Sequence, residues 1–320
     1  MRKKITENFK QWFLLILLVL AVNIQLPYYI EAPGGTINLT KKIDKNYDKK
    51  NGSLNMLYVT EYKGNIVTVL LSQLFKSWDL NKIEKQQVSN ETANEIYTRN
   101  KVMLNNSIDN AMYVAYKYAG KNIEIKDKEN IVIATTKDNG IKIGDIILKV
   151  DDIEVENIDS IRNYLKTLNS GDKVNVKIKR NNQEKEVKIE LDDDKLIGIM
   201  LITNYTYETD EELDISFRNG EGGASGGMIL ALGIYSKITN TDILKGKNIA
   251  GTGTIDINGN IGEIDGIKYK IAGAVKDKMD VILVSPANYE EAKKVIKENN
   301  YKIKLVKVST FEEAIKYLTK

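Results

Sequence analysis

The first hydrophobic pattern in the chain is a continuous apolar run close to the amino terminus. Trp12–Val22 has no polar residue, and the run extends with interruptions to Ile30. About 20 apolar residues span a bilayer, so the pattern predicts a transmembrane helix that is retained as an anchor. A signal peptide that is removed and a buried helix of a soluble domain are the alternatives. Basic residues precede the run, which by the positive-inside rule predicts a cytoplasmic tip at residues 1–10 and an extracytoplasmic remainder.

After this run, apolar residues alternate with polar ones at the spacings typical of strands and amphipathic helices. Leu54–Thr60 and Asn65–Leu71 have the composition of strands. Apolar residues recur at helical spacing over Thr92–Tyr118, which predicts a helix that stops before Gly120.

Residues 121–195 have the pattern of a separate, strand-rich unit. Gly140 and Gly144 bracket a tight turn into an apolar strand, and a helix is predicted to begin at Asp159 or Ser160. The remaining predicted elements are strands at Ile131–Ala134, Ile146–Val150, Val174–Ile178 and Lys185–Leu191, and the helix over Ile158–Leu168. The order and size of these elements resemble a PDZ domain, a module that binds extended peptides at a sheet edge. A small structural β-domain is the alternative.

The C-terminal third alternates strands and helices and predicts an α/β domain. Asn258-Gly259 is a hairpin turn signal. The predicted strands are Ile249–Asp256, Val281–Val284 and Lys304–Val308, and the helices are Ile267–Val275, Tyr289–Glu298 and Phe311–Tyr317.

Composition narrows the possible chemistry. The 320 residues include no cysteine and no histidine, and the net charge is +3. Thiol catalysis, histidine-based triads and Cys- or His-ligated metal sites are therefore excluded, so an acid–base enzyme must use Asp, Glu, Lys or Tyr. The balanced charge gives no reason to expect nucleic acid as a partner. Asp192–Asp194 is interpreted as a surface connector rather than a calcium site, and no metal or cofactor is expected.

Ser225 lies in a glycine-rich turn directly before an apolar helical pattern. The first turn of a helix leaves amide groups unpaired, and these can stabilise an oxyanion beside a serine nucleophile. A helix N-cap is the structural alternative for this serine. A nucleotide-binding loop is not indicated, since the chain has no GxxxxGK[ST] sequence.

Several segments together resemble the Lon-type serine peptidases, and in particular their membrane-anchored, PDZ-containing bacterial branch without an ATPase domain. The segments that carry the resemblance are YYIEAPG, NNSIDNAMYVAYKYAG, GEGGASGGMILALGIYSKIT, KGKNIAGTGTIDINGNIGEIDGIKYKIAGA and DVILVSPANYEEA. The resemblance implies an N-terminal transmembrane helix and a PDZ-like domain inserted before a Lon-type α/β proteolytic domain, an α+β and α/β architecture. The expected units are an anchor (1–31), an N-terminal part of the peptidase region (32–120), the PDZ-like domain (121–195) and the proteolytic domain (196–320).

The resemblance also implies the site residues. Ser225 matches the nucleophile, with Ala224 and Gly226 in place of the usual proline and alanine. Lys270 matches the catalytic lysine rather than Lys268, and Thr252 matches the threonine that steadies it. Asp265 stands where glycine is usual, and a carboxylate there favours the charged amine over the neutral base.

These observations predict an ATP-independent, membrane-anchored serine endopeptidase that cleaves extracytoplasmic peptides or unfolded proteins. The alternatives are a catalytically inactive PDZ peptide-binding module and a chaperone. The sequence gives no information on oligomeric state.

Overall fold

The protein is described from a computed structural model that covers residues 2–43, 52–75, 77–82, 91–210 and 213–320. The helices in these ranges are α1 (Arg2–Asn23), α2 (Thr40–Ile43), α3 (Ile66–Leu74), α4 (Ala93–Tyr118), α5 (Ile158–Leu165), α6 (Gly227–Thr239), α7 (Ile267–Lys276), α8 (Pro286–Glu298) and α9 (Phe311–Thr319). The strands are β1 (Gln25–Asn38), β2 (Ser53–Asn65), β3 (Asp79–Lys82), β4 (Ile123–Thr135), β5 (Ile146–Val150), β6 (Ile153–Glu154), β7 (Lys173–Arg180), β8 (Gln183–Glu190), β9 (Ile199–Thr209), β10 (Asn248–Thr252), β11 (Thr254–Ile255), β12 (Ile261–Gly262), β13 (Val281–Val284) and β14 (Lys304–Lys307).

The first sheet joins the N-terminal and C-terminal segments of the chain. Its strand order is β14-β13-β10-β2-β1-β3. β2 pairs in parallel with β10, and β1 pairs antiparallel with both β2 and β3. Strands β1, β2 and β3 therefore complete a sheet whose other half is β10, β13 and β14.

Helices cover both faces of this sheet, and each face has its own apolar core. On one face α4, α6 and α9 pack on side chains such as Met56 and Leu283. On the other face α7 and α8 pack on side chains such as Leu57 and Ile282. This layering places α6 and α7 on opposite faces of β2 and β10.

A second sheet lies between the two halves of the first in the sequence. Its order is β8-β7-β5-β4-β9, with β6 paired to β5. Its core is closed by α5 and contains Val132, Ile147, Ile161 and Val176. β9 pairs with β4 from Ile123 to Thr135, so it belongs to this sheet along its whole length.

The predicted transmembrane helix is wrong. α1 ends at Asn23, and β1 begins at Gln25, so the apolar positions up to Ile30 belong to a strand in which Ile30 is fully buried. The apolar part of the helix is therefore only about half of the roughly 20 residues that a bilayer requires. Within the described ranges, no helix combines the length and the apolar character needed to cross a membrane.

This finding overturns three expectations that depended on the span. They are the transmembrane helix in the predicted fold class, the single-pass membrane localisation with an extracytoplasmic catalytic domain, and the membrane as a partner through the N-terminal helix. The side chains of residues 1–8, which include the basic cluster, lie outside the described part of the structure.

Two local predictions also differ from the structure. The composition of Asn65–Leu71 predicts a strand, but Asn65 caps α3, where its side chain accepts from the Thr68 amide at 2.8 Å. This capping box fixes a helix start that apolar composition alone does not distinguish from a strand. The sequence pattern predicts that the helix of the second sheet begins at Asp159 or Ser160, but α5 begins at Ile158. Its N-cap is Asn157, whose side chain accepts from the backbone amides of Asp159 and Ser160.

Candidate active site

Ser225 lies in the turn that leads into α6. Gly226 is the N-cap of this helix, so the serine lies one residue outside it and is half-buried. Ser225 is therefore not itself the N-cap that the structural alternative required. Since α6 begins beside it, the positive end of the helix dipole faces the turn.

Two successive carbonyl groups fix the turn. The Ala224 carbonyl accepts from the Ser107 hydroxyl at 3.2 Å and from the Gly227 amide at 3.3 Å. The Ser225 carbonyl accepts from the Gly253 amide at 2.9 Å. The amides of Ser225 and Gly226 make no hydrogen bond to other described residues, so they are free to donate to an oxyanion.

The glycines of this turn allow close packing. A Cβ atom on Gly227 would lie 2.9 Å from the Ile255 amide nitrogen and 2.9 Å from the Ser107 hydroxyl. A Cβ atom on Gly226 would lie 2.0 Å from the Met56 sulfur. Met56 therefore occupies the space that the methyl group of an alanine at position 226 would need.

Lys270 lies in the first turn of α7 and is 4% exposed. Its neighbours on the helix, Ile267 and Ile271, are part of the apolar core. Burial lowers the pKa of Lys270 to about 8, although the Asp265 carboxylate acts in the opposite direction. Asp265 is exposed, so water screens its charge, and burial remains the larger effect. The Lys270 amine makes no hydrogen bond to any residue in the described ranges.

Lys268 occupies a different environment. Its amine donates to both carboxylate oxygens of Asp79 on β3, at 2.7 Å each. Burial works against ionisation of Asp79, but hydrogen bonds from Lys268 and Tyr269 hold the pKa of this carboxyl below its usual value. Lys268 is thus half-exposed and held by a carboxylate, whereas the Lys270 side chain is buried.

Thr252 ends β10 and is fully buried. Its hydroxyl donates to the Ser225 carbonyl at 3.2 Å. The family resemblance implies that this threonine steadies the lysine amine. In the structure its hydroxyl supports the turn that carries the serine.

Ser225 and Lys270 share one groove. It has a volume of about 980 Å³, and both Ser225 and Lys270 line it, together with Asp265. Glu31 of β1 and Glu61 of β2 line it as well. These two carboxylates are direct cross-strand partners, and partial desolvation in the groove, together with the charge of Glu31, raises the pKa of Glu61.

The groove also contains an ion pair, between Lys42 and Glu221, that the sequence does not predict. Lys42 pairs with Glu221 at 2.8 Å, and its amine also donates to the Ser216 carbonyl at 3.2 Å. Glu221 accepts in addition from the Arg218 amide at 2.8 Å. The sequence predicts no role for Glu221, and only its proximity to Ser225 along the chain signals one. These contacts hold the segment before the glycine-rich turn against the end of α2.

Comparison with known protein families identifies two parts of the chain. Residues 123–191 match the PDZ domain, and residues 207–320 match the C-terminal proteolytic domain of Lon protease (S16). These matches confirm the resemblance to PDZ domains and to Lon-type serine peptidases. The boundaries expected at 121–195 and 196–320 stay predictions.

Individual relatives match a short part of the chain. The Lon protease of Neorickettsia sennetsu is 27% identical over 95 residues, and that of Trichlorobacter lovleyi is 30% identical over 94 residues. These alignments cover 30% and 29% of this chain, and 11% of each relative. Among solved structures, the PDZ domain of an SdrC-like protein from Listeria monocytogenes is 19% identical, with a TM-score of 0.23 over 25% of this chain and 93% of that one.

Proposed function

We propose that this chain, which carries a PDZ domain followed by a serine peptidase domain of the Lon (S16) type, is an ATP-independent endopeptidase with Ser225 as nucleophile and Lys270 as general base. Its substrates are peptides or unfolded protein segments that lie extended in the active-site groove. One observation carries the proposal. A serine at a helix N-terminus lines the same groove as a buried lysine that has no hydrogen-bond partner among the described residues.

The reaction is acyl transfer. The neutral Lys270 amine accepts the proton of the Ser225 hydroxyl while Oγ bonds to the substrate carbonyl carbon. The amides of Ser225 and Gly226 stabilise the oxyanion. As the C–N bond breaks, the Lys270 ammonium returns a proton to the leaving amine. Water then attacks the acyl ester, Lys270 accepts its proton, and the serine is regenerated.

The properties of Lys270 suit a general base. An ordinary lysine has a pKa of about 10.4 and is almost fully charged at neutral pH. With a pKa of about 8, Lys270 is uncharged in about a tenth of the molecules at pH 7. Its position in the first turn of α7 further disfavours the ammonium form, because the helix dipole is positive there.

Thr252 and Ala224 have supporting roles in this proposal. The Thr252 hydroxyl and the Gly253 amide hold the Ser225 carbonyl, and the Ala224 carbonyl is held in turn by Ser107. These bonds fix the direction of the serine side chain, and a nucleophile reacts efficiently only when it is precisely oriented.

The test uses the full chain, an unstructured protein substrate and no ATP. We expect wild type to produce defined fragments by mass spectrometry. Ser225→Ala and Lys270→Ala should each reduce the rate at least about a thousandfold, since both act in the same chemical step. Lys268→Ala is the matched control and should cut at close to the wild-type rate.

Other outcomes are informative. If Ser225→Ala cuts as well as wild type, the nucleophile is wrong. If Lys268→Ala is inactive while Lys270→Ala is active, the wrong lysine has been assigned. If wild type binds peptides but cuts none, the alternative of an inactive PDZ binding module, favoured by the position of Asp265, replaces the enzyme.

A further inference from the structure

One face of α4 carries polar side chains into an otherwise apolar core. Asn106, Ser107 and Asn110 are 6%, 2% and 7% exposed, whereas Ala111 and Val114 further along the helix pack in the core. A buried polar side chain is costly unless it is hydrogen-bonded. The partners of these three residues therefore show what the polar face is for.

Asn106 and Asn110 link two parts of the molecule. The side-chain Nδ2 of Asn106 donates to the Thr203 carbonyl at 2.7 Å and to Asn204 Oδ1 at 3.2 Å, and both partners belong to β9 of the second sheet. The side-chain Nδ2 of Asn110 donates to Asn106 Oδ1 at 3.2 Å and to the Ile255 carbonyl on β11 at 3.1 Å. A continuous set of hydrogen bonds therefore crosses α4 from β9 to β11.

Ser107 lies between these two asparagines in the sequence. It contacts residues 223–228, the turn that carries Ser225, which is called the catalytic turn below. Its hydroxyl donates to the Ala224 carbonyl, one residue before the nucleophile. It also lies against Gly227, where a Cβ atom would approach it to 2.9 Å. A displacement of α4 at this point therefore moves the turn that carries Ser225.

The hydrogen bonds continue into the PDZ domain. The Thr203 hydroxyl donates to the Asn130 side chain at 2.8 Å, and the Asn130 amide donates to the Val155 carbonyl at 2.8 Å. Asn130 is itself buried, on β4, and Val155 precedes α5. The PDZ core, β9, α4 and the catalytic turn are thus connected through named atoms.

This network is not fully satisfied. Within the described ranges, the Asn110 side-chain oxygen and the Tyr207 hydroxyl are buried without a hydrogen-bond partner. Tyr207 belongs to β9 and stacks on Tyr113 of α4, with ring centroids 5.2 Å apart. Each unpaired buried group costs free energy, so this junction is held less strongly than a fully hydrogen-bonded one.

We propose that the Asn106–Ser107–Asn110 face of α4 positions the catalytic turn and makes its order depend on the PDZ domain. Ser107 is a positioning residue, since it acts on Ser225 through the Ala224 carbonyl. The effect on turnover rests on the proposed peptidase function, whereas the effect on the order of the turn does not. A peptide that shifts β9 on binding to the PDZ domain would thereby change the activity.

The first test compares Ser107→Ala with Ser72→Ala in the full chain. Ser72 is the matched control, because it is a buried helical serine whose hydroxyl donates to the Val69 carbonyl, away from the groove. We expect Ser107→Ala to lower kcat about tenfold with KM changed less than about twofold, and Ser72→Ala to leave both unchanged. Equal kcat values for Ser107→Ala and wild type would overturn the positioning role.

The second test measures amide hydrogen exchange at residues 223–228 and needs no activity. Thr203→Val removes the hydroxyl that joins β9 to Asn130 and keeps the side-chain shape. We expect it to speed exchange in the catalytic turn about fivefold or more, whereas Thr206→Val, at an exposed position on the same strand, should not. Unchanged exchange in Thr203→Val would overturn the link to the PDZ domain.

The two tests separate the proposals. Faster exchange without any cleavage by wild type would leave the link standing and refute the peptidase. Cleavage by wild type, with neither kcat nor exchange affected in the variants, would refute the link and leave the peptidase standing.

Discussion

Lys270 is the residue whose protonation state controls the proposed reaction. The neutral amine is the active form, so kcat/KM should rise with pH and level off above a midpoint of about 8. Because the chain has no histidine, no second ionisation with a midpoint of about 6.5 is expected from that side chain. A pH–rate profile with the full chain and a peptide substrate measures this directly. A histidine-like midpoint, or activity that falls as Lys270 deprotonates, would contradict the assignment.

Asp265 offers a variant that tests the same base. Its charge raises the pKa of Lys270, so Asp265→Asn should move the midpoint of the pH profile to lower pH and increase the rate at pH 7 by less than about tenfold. Asp152→Asn changes the net charge equally on an exposed turn of the second sheet and is the control. The difference between the two variants should shrink at high salt, where exposed charges are screened.

At the residue scale the sequence is informative about side chains that belong to a motif and silent about those that do not. Ser225 and Lys270 are predicted from a glycine-rich turn, an apolar helix start and a family resemblance. Ser107 and Asn110 lie in the segment NNSIDN, which contributes to the resemblance but predicts no role for them. Their function depends on which carbonyl groups they meet, and those carbonyls are 117 and 145 positions away along the chain.

Helix α5 depends on a cap that the sequence pattern places two or three residues too late. The Asn157 side chain accepts from the backbone amides of Asp159 and Ser160 at 2.9 and 3.0 Å. The Ser160 hydroxyl accepts in turn from the Asn157 backbone amide, which completes a capping box. We expect Asn157→Ala to lower the free energy of unfolding of the second sheet by about 1 kcal/mol. Asn163→Ala, at a position inside the same helix, is the control. Urea unfolding measures both, and an equal loss for the two variants would refute the capping role.

Strands that pair over long distances are the hardest elements to predict. β10 and β13 are buried apolar strands, and their composition predicts them. The sequence does not predict β1, because Tyr28–Ile30 extends the apolar run of α1. This segment is a strand because it pairs with β2 and β3. β9 is hidden because its side chains are shared between the second sheet and α4, which removes a clear alternation of buried and exposed positions.

Asp109 lies where α4 meets β9 and affects the stability of the whole molecule. Burial raises its pKa to about 6, although Asn204 opposes the shift. The folded state therefore binds a proton more readily than the unfolded state. The stability that this group contributes is present below about pH 4 and is lost as the pH rises through 6.

Asp109→Asn keeps the shape of the side chain without the charge. At pH 7 we expect it to be more stable than wild type by on the order of 1 kcal/mol, after allowance for partial exposure, and at pH 4 the two should differ little. Asp138→Asn, at an exposed position, should follow wild type at both values. Urea unfolding at the two pH values is the measurement. Lower stability of Asp109→Asn at pH 7 would show that the carboxylate is stabilised by its surroundings.

The parallel pairing of β2 with β10 sets the order in which the chain is able to fold. Ser53 bonds to Asn248, 195 positions later, so during synthesis β2 leaves the ribosome long before its partner exists. The pairs of the second sheet are closer together in the sequence, and its strands β4 to β8 are complete before β10 is made. Their early formation shortens the loop that must close between β2 and β10, which lowers the entropic cost of closure. We therefore expect the inserted domain to act as an internal scaffold during folding, and its removal should slow folding even where the finished protein tolerates it.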